Sequence, residues 1–253
     1  MRNVHQIIIM VNSRKNAVIE EILFSSNGFL LKGYLHLPPI DQAPVVIGSH
    51  GLFSDKNSPK QIELAHKCNQ SNIAYFRFDH RGCGESKAPF EALTSLEVRY
   101  TDLITAAHIL KARPDIGNKM ALFGSSMGGT VCLAVASDAK IDAVVTWAAP
   151  IRSTDLVQKA TNLRRISDSN IPFKRNPFDI SNRLARVQNI LVFHGAADET
   201  VPLSHANEIY KHVSEPKKLI VFPQSDHRMS NLAHQKDFIR QAIAWFRVNL
   251  IPE

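Results

Sequence analysis

Cysteine is scarce in this chain, with three residues (Cys68, Cys83 and Cys132) among 253. An odd number of cysteines cannot form a fully paired disulfide framework, and none of the three belongs to a C-x-x-C motif. Chains of this kind are typical of reducing compartments, so we expect a cytoplasmic protein.

Long apolar runs and long basic runs are also missing. The apolar cluster 7–11 is too short for a signal-peptide core or a membrane span, and we expect neither export nor insertion. The net charge of +7 is spread thinly, since no run of Lys and Arg exceeds two residues. We therefore expect no nucleic-acid partner. No cluster of His, Cys, Asp and Glu has metal-ligand spacing, so neither a metal nor a cofactor is expected. The oligomeric state is not indicated.

Strand-like apolar runs alternate with helical patterns over most of the chain. This alternation predicts an α/β fold, in which helices cover both faces of a mostly parallel sheet. The strands are expected at 44–48, 73–78, 120–123, 143–149, 190–194 and 218–222. The helices are expected at 58–69, 94–113, 204–212 and 231–250, with another beginning after Ser126.

Two local signals predict a hairpin near the start of the chain and the beginning of the second helix. Asn27-Gly28 lies between two runs of β-forming residues, 19–25 and 29–37, and predicts an antiparallel hairpin, because both residues tolerate positive φ. Thr94 and Glu97 have the spacing of a capping box and predict the start of the second helix.

A glycine-flanked serine follows the apolar run 120–123. Gly124 and Gly128 stand two residues on either side of Ser126, as in the G-x-S-x-G turn that joins a strand to a helix and presents a nucleophile. The same residues could form a plain glycine-rich turn, so the motif needs partners elsewhere in the chain.

The partners are selected by their position after later strands. His227 follows the strand 218–222, and Asp198 follows the strand 190–194, so both belong at the edge of the sheet where Ser126 falls. Glu199 is a weaker candidate for the acid. Asp226 adjoins His227 but is expected to cap the next turn.

An oxyanion hole needs two backbone N–H groups near the nucleophile. Met127, directly after Ser126, is expected to supply one. Leu52, in the loop after the strand 44–48, is expected to supply the other, with Phe53 as the alternative.

Two further segments bear on the site. The loop 79–86 lacks the third glycine of a dinucleotide-binding pattern, because Lys87 stands there, and Asp79 is expected to pair with Arg81 instead. Residues 150–188 have no strand pattern and a local charge of +5, and we expect a lid insertion in a single domain spanning 1–253. The positive lid favours a substrate with an anionic portion.

Five motifs together resemble the α/β-hydrolase superfamily. They involve Ser49-His50-Gly51, the loop 79–86, Gly124 to Gly128, His194 to Pro202, and Asp226-His227. The motifs occur in the same order as in that superfamily, and the resemblance covers residues 19–250. Small cytoplasmic esterases, such as cinnamoyl and feruloyl esterases and monoacylglycerol-lipase-like enzymes, are the most similar branch. The resemblance implies an eight-stranded sheet with a short lid.

The resemblance also implies a catalytic triad of Ser126, Asp198 and His227. The expected reaction is hydrolysis of small carboxylic esters through an acyl-enzyme intermediate. Thioesterase and aminopeptidase activities use the same triad and stay open. A hydrolase fold that only binds a ligand or a partner is the alternative from another class.

Overall fold

Eight strands form one sheet in a computed structural model of the chain, which describes residues 16–86, 95–156 and 176–251. The strands are β1 (Val18–Ser26), β2 (Phe29–Leu37), β3 (Ala43–Ser49), β4 (Ala74–Phe78), β5 (Ile116–Ser125), β6 (Ala143–Trp147), β7 (Ile190–Gly195) and β8 (Lys217–Phe222). Their order across the sheet is β1-β2-β4-β3-β5-β6-β7-β8. β2 pairs antiparallel with β1 and β4, and the remaining pairs are parallel. The predicted fold class is confirmed.

The first two strands form the expected hairpin. Asn27 and Gly28 both have positive φ, 47° and 83°, and Ser26 pairs with Phe29 across them. Two consecutive residues with positive φ make a turn whose twist matches that of the flanking strands. The hairpin forms the antiparallel end of the sheet, away from the strands that carry Ser126, Asp198 and His227.

Five α-helices lie entirely within the described residues, and they bury a core on each face of the sheet. Along β3, Val45 and Ile47 belong to one core and Val46 to the other, as the alternation of side chains in a strand requires. The helices are α1 (Pro59–Gln70), α2 (Leu96–Lys111), α3 (Met127–Asp138), α4 (Leu203–His212) and α5 (Leu232–Leu250). Residues of α2, α3 and α4 line the first core, and residues of α1 and α5 line the second.

Two local predictions are wrong. The N-cap of α2 is Ser95, one residue after the predicted Thr94, because the Ser95 Oγ accepts a hydrogen bond from the backbone N–H of Val98 at 3.2 Å. Thr94 itself lies outside the described residues. Asp79 and Arg81 do not pair with each other, since each bonds to a different partner.

These partners come from other elements. Asp79 forms a buried ion pair with Lys56, with 2.6 Å between Nζ and Oδ2. Arg81 donates to Asp102 on α2, with 2.9 Å between Nε and Oδ1. Tertiary contacts therefore replace the pairing between neighbours that the loop sequence indicates.

Residues 150–188 are described only at their two ends. Arg152 and Asp179 form an isolated antiparallel bridge, and a 3-10 helix spans Ser181–Arg186. The lid therefore stays a prediction, as does the single domain. No helix within the described ranges has the length and apolarity needed to cross a membrane.

Candidate active site

Ser126 lies at the junction of β5 and α3 in a strained backbone conformation, with φ 53° and ψ −124°. Its N–H donates to the carbonyl of Trp147 at 2.7 Å, which ties the turn to the end of β6. A Cβ on Gly124 would overlap the carbonyl oxygen of Gly128, and one on Gly128 would overlap that of Ser49. Both glycines are therefore required for this close approach of strand, helix and loop.

The structure brings the three predicted side chains together in one hydrogen-bonded series. His227 Nε2 lies 3.1 Å from Ser126 Oγ, and His227 Nδ1 lies 2.8 Å from Asp198 Oδ2. Asp198 follows β7 and His227 follows β8, so both loops leave the same edge of the sheet as Ser126. All three residues lie at the carboxyl ends of parallel strands, which is the position that the sequence predicts for them.

Asp198 is buried and held by its own loop. Its Oδ1 accepts from the backbone N–H groups of Thr200 and Val201 at 2.8 and 2.7 Å, which leaves Oδ2 for the imidazole. Burial raises the pKa of Asp198, but His227 and the two N–H donors outweigh it, and the net effect lowers the pKa. The carboxylate is therefore ionised at neutral pH, and its Oδ2 can accept a hydrogen bond from a protonated Nδ1 of His227.

The other acids near His227 have different partners. Glu199 accepts the backbone N–H of His227 through Oε2 at 3.1 Å, so it holds the main chain rather than the ring. Asp226 accepts from the N–H and the hydroxyl of Ser230 at 2.7 and 2.6 Å, which is the turn-capping role that the sequence predicts.

Of the two predicted oxyanion donors, Met127 directly follows Ser126, and Leu52 lines the same groove as Ser126. Met127 is the first residue of α3, where backbone N–H groups have no partner within the helix. Leu52 follows Gly51, and a Cβ placed on Gly51 would lie 3.6 Å from the Cβ of Ser126. Phe53 also lines the site, but its side chain is 75% exposed, whereas Leu52 is buried.

Trp147 is a residue of the site that the sequence did not indicate. Its carbonyl accepts the N–H of Ser126, and its indole Nε1–H donates to the carbonyl of His227 at 2.8 Å. One buried residue at the end of β6 thus connects the main chain of the serine, through its carbonyl, to that of the histidine, through its indole. Its position at a strand end was the available signal, although a tryptophan there is usually attributed to the core.

Arg99 is a second residue that sequence reasoning missed. It lies on α2, is 1% exposed, and donates to the carbonyls of His50 and Leu52, each at 3.1 Å. Its Nη2 also lies 3.3 Å from Sγ of Cys83. Burial raises the pKa of this thiol, which agrees with a structural rather than a nucleophilic cysteine.

A groove of about 1490 Å³ extends from Ser126 and His227 between α1 and α5. Its floor includes apolar side chains of α5, among them Ile239 and Ile243. Its lining contains two acids, Glu63 and Glu199. It contains six basic residues: Lys60, Lys67, Arg228, Lys236, Arg240 and Arg247. The site therefore opens into a groove whose lining has more basic than acidic residues.

Comparison with known proteins identifies the family. The model of the family described as serine aminopeptidase, S33 matches residues 41–173, more than half of the chain, and the protein belongs to this family. The resemblance to the α/β-hydrolase superfamily is thereby confirmed.

Individual relatives are more distant. The uncharacterized protein YfhR of Escherichia coli O157:H7 is 29% identical over 197 residues, which are 75% of this chain and 65% of that protein. This chain thus spans just under two thirds of the length of that relative. Inactive dipeptidyl peptidase 10 of Rattus norvegicus is 28% identical over 179 residues, 63% of this chain and 22% of that protein.

Among solved structures, Est1E from Butyrivibrio proteoclasticus, with ferulic acid bound, superposes with a TM-score of 0.77. The match covers 92% of this chain and 100% of that chain at 19% sequence identity. An identity this low establishes the shared fold and not a shared substrate.

Proposed function

We propose that this protein is a serine hydrolase that cleaves carboxylic esters through an acyl-enzyme intermediate. The observation that carries this proposal is the hydrogen-bonded series Ser126, His227 and Asp198 at the head of an open groove. A serine hydroxyl is a weak nucleophile at neutral pH, and a histidine at this distance can remove its proton during attack.

The first step forms the acyl-enzyme. Ser126 Oγ bonds to the carbonyl carbon while His227 Nε2 accepts the hydroxyl proton, and Asp198 stabilises the imidazolium through Nδ1. The N–H groups of Leu52 and Met127 donate to the oxyanion. His227 then donates its proton to the departing alcohol oxygen as the bond between carbon and that oxygen breaks.

The second step uses water. His227 removes a proton from a water molecule whose oxygen adds to the acyl carbonyl carbon, and the same N–H groups stabilise the second oxyanion. The bond to Ser126 Oγ then breaks as His227 returns the proton to it. One ester and one water give one acid and one alcohol.

A fluorophosphonate probe tests the nucleophile directly. We expect stoichiometric labelling, with the modified peptide containing Ser126, and hydrolysis of p-nitrophenyl acetate that stops once the protein is labelled. Labelling of another residue, or hydrolysis that continues after full labelling, would show that the assignment is wrong.

A non-catalytic binding protein is the second candidate, because one relative is an inactive dipeptidyl peptidase. The presence of all three triad residues at hydrogen-bond distances favours an enzyme. A folded protein that neither reacts with the probe nor hydrolyses any member of an ester and thioester panel would support the binding role instead.

We further propose that the substrate carries an anionic portion. The groove adds a charge of +4 to the site, from six basic and two acidic residues. Aminopeptidases need an acid that binds the substrate's ammonium group. Of the two acids in the groove, Glu199 is already bonded to the main chain of His227, and Glu63 lies on α1 between Lys60 and Lys67, one helical turn away on either side. These charges favour esters or thioesters with a negative group over peptides with a free amino terminus, despite the name of the family.

Charge reversal in the groove tests this substrate preference. The test variants are Lys236→Glu and Arg247→Glu, at exposed positions of α5 that line the groove. The matched control is Lys211→Glu, at an exposed position of α4 outside the groove lining. We expect each groove variant to lower kcat/KM for an anionic ester by about threefold to tenfold, while a neutral ester with the same acyl group is unaffected. Added salt should reduce the same preference, because it screens exposed charges. Equal effects on both esters would contradict the proposal.

A further inference from the structure

The loop that holds Leu52 has an unusual set of hydrogen bonds. Three consecutive carbonyls each lie within hydrogen-bond distance of a side-chain nitrogen. Arg99 Nη1 donates to the carbonyl of His50 and Arg99 Nη2 to that of Leu52, each at 3.1 Å. Between them, the carbonyl of Gly51 lies 2.8 Å from Nδ1 of the His50 ring. We call residues 50–52 the oxyanion loop.

The tautomer of His50 follows from its two contacts. Its Nε2 accepts the backbone N–H of His80 at 3.2 Å, so the proton of a neutral ring must be on Nδ1, where it donates to Gly51. Burial, together with the nearby Arg99 and His80, lowers the pKa of His50 well below its usual range. The ring is therefore neutral at pH 7 and donates to the Gly51 carbonyl.

The position of the Gly51 carbonyl determines the direction of the Leu52 N–H. Both groups belong to one planar trans peptide, in which the C=O and the N–H point in opposite directions. Gly51 lies close to Ser126, since a Cβ placed on Gly51 would lie 3.6 Å from the Cβ of Ser126. The His50 ring thus holds the peptide that carries the Leu52 N–H, and Arg99 holds the carbonyls of the two peptides on either side of it.

Arginine suits this role for reasons of shape. Its planar guanidinium presents donors in a fixed fork, which can bond to two carbonyls at once, whereas the ammonium of lysine is a compact group on a flexible chain. Arg99 is 1% exposed, so its guanidinium is shielded from water. Its donors are directed to the oxyanion loop.

We propose that Arg99 is a positioning residue for ester hydrolysis, which holds the oxyanion loop so that the Leu52 N–H meets the oxyanion formed at Ser126. The inference rests on the proposed function, because it assigns a role within the same reaction. Arg99 acts through the main chain of residues 50–52 and contacts no substrate atom in this role.

The test compares Arg99→Met with Arg113→Met. Arg113 follows the other end of α2, about 21 Å along the helix axis, where it pairs with Glu20 and Asp115. We expect Arg99→Met to lower kcat by about tenfold to a hundredfold while KM changes less than twofold, because an oxyanion donor acts in the transition state. The Arg113→Met variant should keep the wild-type kcat, although its unfolding temperature should fall.

Three further measurements separate positioning from loss of structure. The rate of fluorophosphonate labelling should fall by the same factor as kcat, since phosphonylation also forms an oxyanion. The shape of the pH profile should stay unchanged, because His227 and Asp198 are not altered. Arg99→Lys, which keeps the charge and is less disruptive to folding, should recover little of the lost kcat.

The possible results point in distinct directions. A folded Arg99→Met variant with a wild-type kcat, or a kcat fully restored by Arg99→Lys, would overturn the positioning role while leaving the ester hydrolase intact. If wild-type protein neither hydrolyses esters nor reacts with the probe, the proposed function itself fails. If Arg99→Met does not fold, the comparison is made with Arg99→Lys, whose kcat should then be at least fivefold below that of the wild type, and a wild-type value would overturn the proposal.

Discussion

The molecule contains two sets in which a serine faces a histidine and the histidine faces an aspartate. The groove set is Ser126, His227 and Asp198, and the buried set is Ser49, His80 and Asp102. In the groove set, the histidine lies 3.1 Å from the serine and 2.8 Å from the acid. In the buried set, the corresponding distances are 2.9 and 3.6 Å.

Access and partners separate the two sets. Ser126 and His227 line the groove, whereas Ser49, His80 and Asp102 are fully buried. Asp102 also binds Arg81 and accepts the hydroxyl of Ser26, so its carboxylate joins three elements of the fold. The same residue types therefore line a groove at one place and are buried at another, and we propose a catalytic role for the first set only.

The largest expected difference between the sets is in Ser126→Ala against Ser49→Ala. Removing the proposed nucleophile should lower kcat for an ester by at least about 10⁴-fold, because members of a triad act as a unit. Ser49→Ala should lower the free energy of unfolding by about 1 kcal/mol through the lost hydrogen bond and leave kcat within about tenfold of wild type. Comparable losses of kcat in both variants would remove the distinction between the sets.

Substitutions of the two aspartates should also have different effects, on kcat in the groove set and on stability in the buried set. Asp198→Asn should lower kcat by about 10² to 10⁴-fold with a small effect on stability, since the amide no longer favours the required tautomer of His227. Asp102→Asn should leave Arg81 without its carboxylate and lower the free energy of unfolding by about 3 kcal/mol. Both variants should be measured for kcat and for urea unfolding. An Asp102→Asn variant as stable as the wild type would contradict the structural role of the buried set.

The buried set should also make stability depend on pH. Burial lowers the pKa of His80 to about 4, against 6.5 in the unfolded chain. Between these values the unfolded chain binds a proton that the folded protein does not, so stability falls as the pH decreases from 6.5 to 4. The expected loss from His80 is roughly 3 kcal/mol. Urea unfolding across this range should reveal the slope.

His80→Gln provides the control for this prediction, because it removes the titrating group and keeps a polar side chain. Its pH dependence between 6.5 and 4 should be shallower than that of the wild type. Asp102 should contribute little in this window, because most of its effect is lost below its unfolded pKa of 3.8. Burial raises its pKa, but contacts with His80 and Arg81 outweigh that effect and lower it to about 2. An unchanged slope in His80→Gln would assign the pH dependence to other groups.

The smallest expected effect concerns how each histidine's main chain is held. The N–H of His227 donates to Glu199, whereas the N–H of His80 donates to the ring of His50. Glu199→Ala should lower kcat by about threefold to tenfold, because the imidazole loses one of its supports while Asp198 and Trp147 remain. A loss as large as that of Asp198→Asn would mean that Glu199 has a direct role in the reaction.

Patterns that act locally were read correctly from the sequence. Asn27-Gly28 predicts its hairpin because positive φ is a property of those two residues, and Gly124 and Gly128 are required by their own contacts. The order of strands places Asp198 and His227 beside Ser126, because the carboxyl ends of parallel strands share an edge. The predicted cap of α2 is wrong by one residue, since Thr94 and Ser95 both carry a hydroxyl that can cap a helix and serine is the more favourable of the two.

Contacts between distant segments were not predictable in this way. Arg99 and Trp147 are 27 and 21 residues from Ser126 in the chain, and no motif connects either of them to it. Asp79 pairs with Lys56 instead of Arg81 because β3 and β4 are neighbours in the sheet, which brings the loops after them together.

The sequence by itself determined the alternation of strands and helices, the glycine-flanked serine and the order of the three polar residues after β5, β7 and β8. These features depend on backbone preferences and on spacing along the chain. Only the tertiary structure decided which serine, histidine and aspartate open onto a groove and which are buried. Burial and hydrogen-bond geometry depend on elements that are distant in sequence, and they determine whether a side chain can reach a substrate.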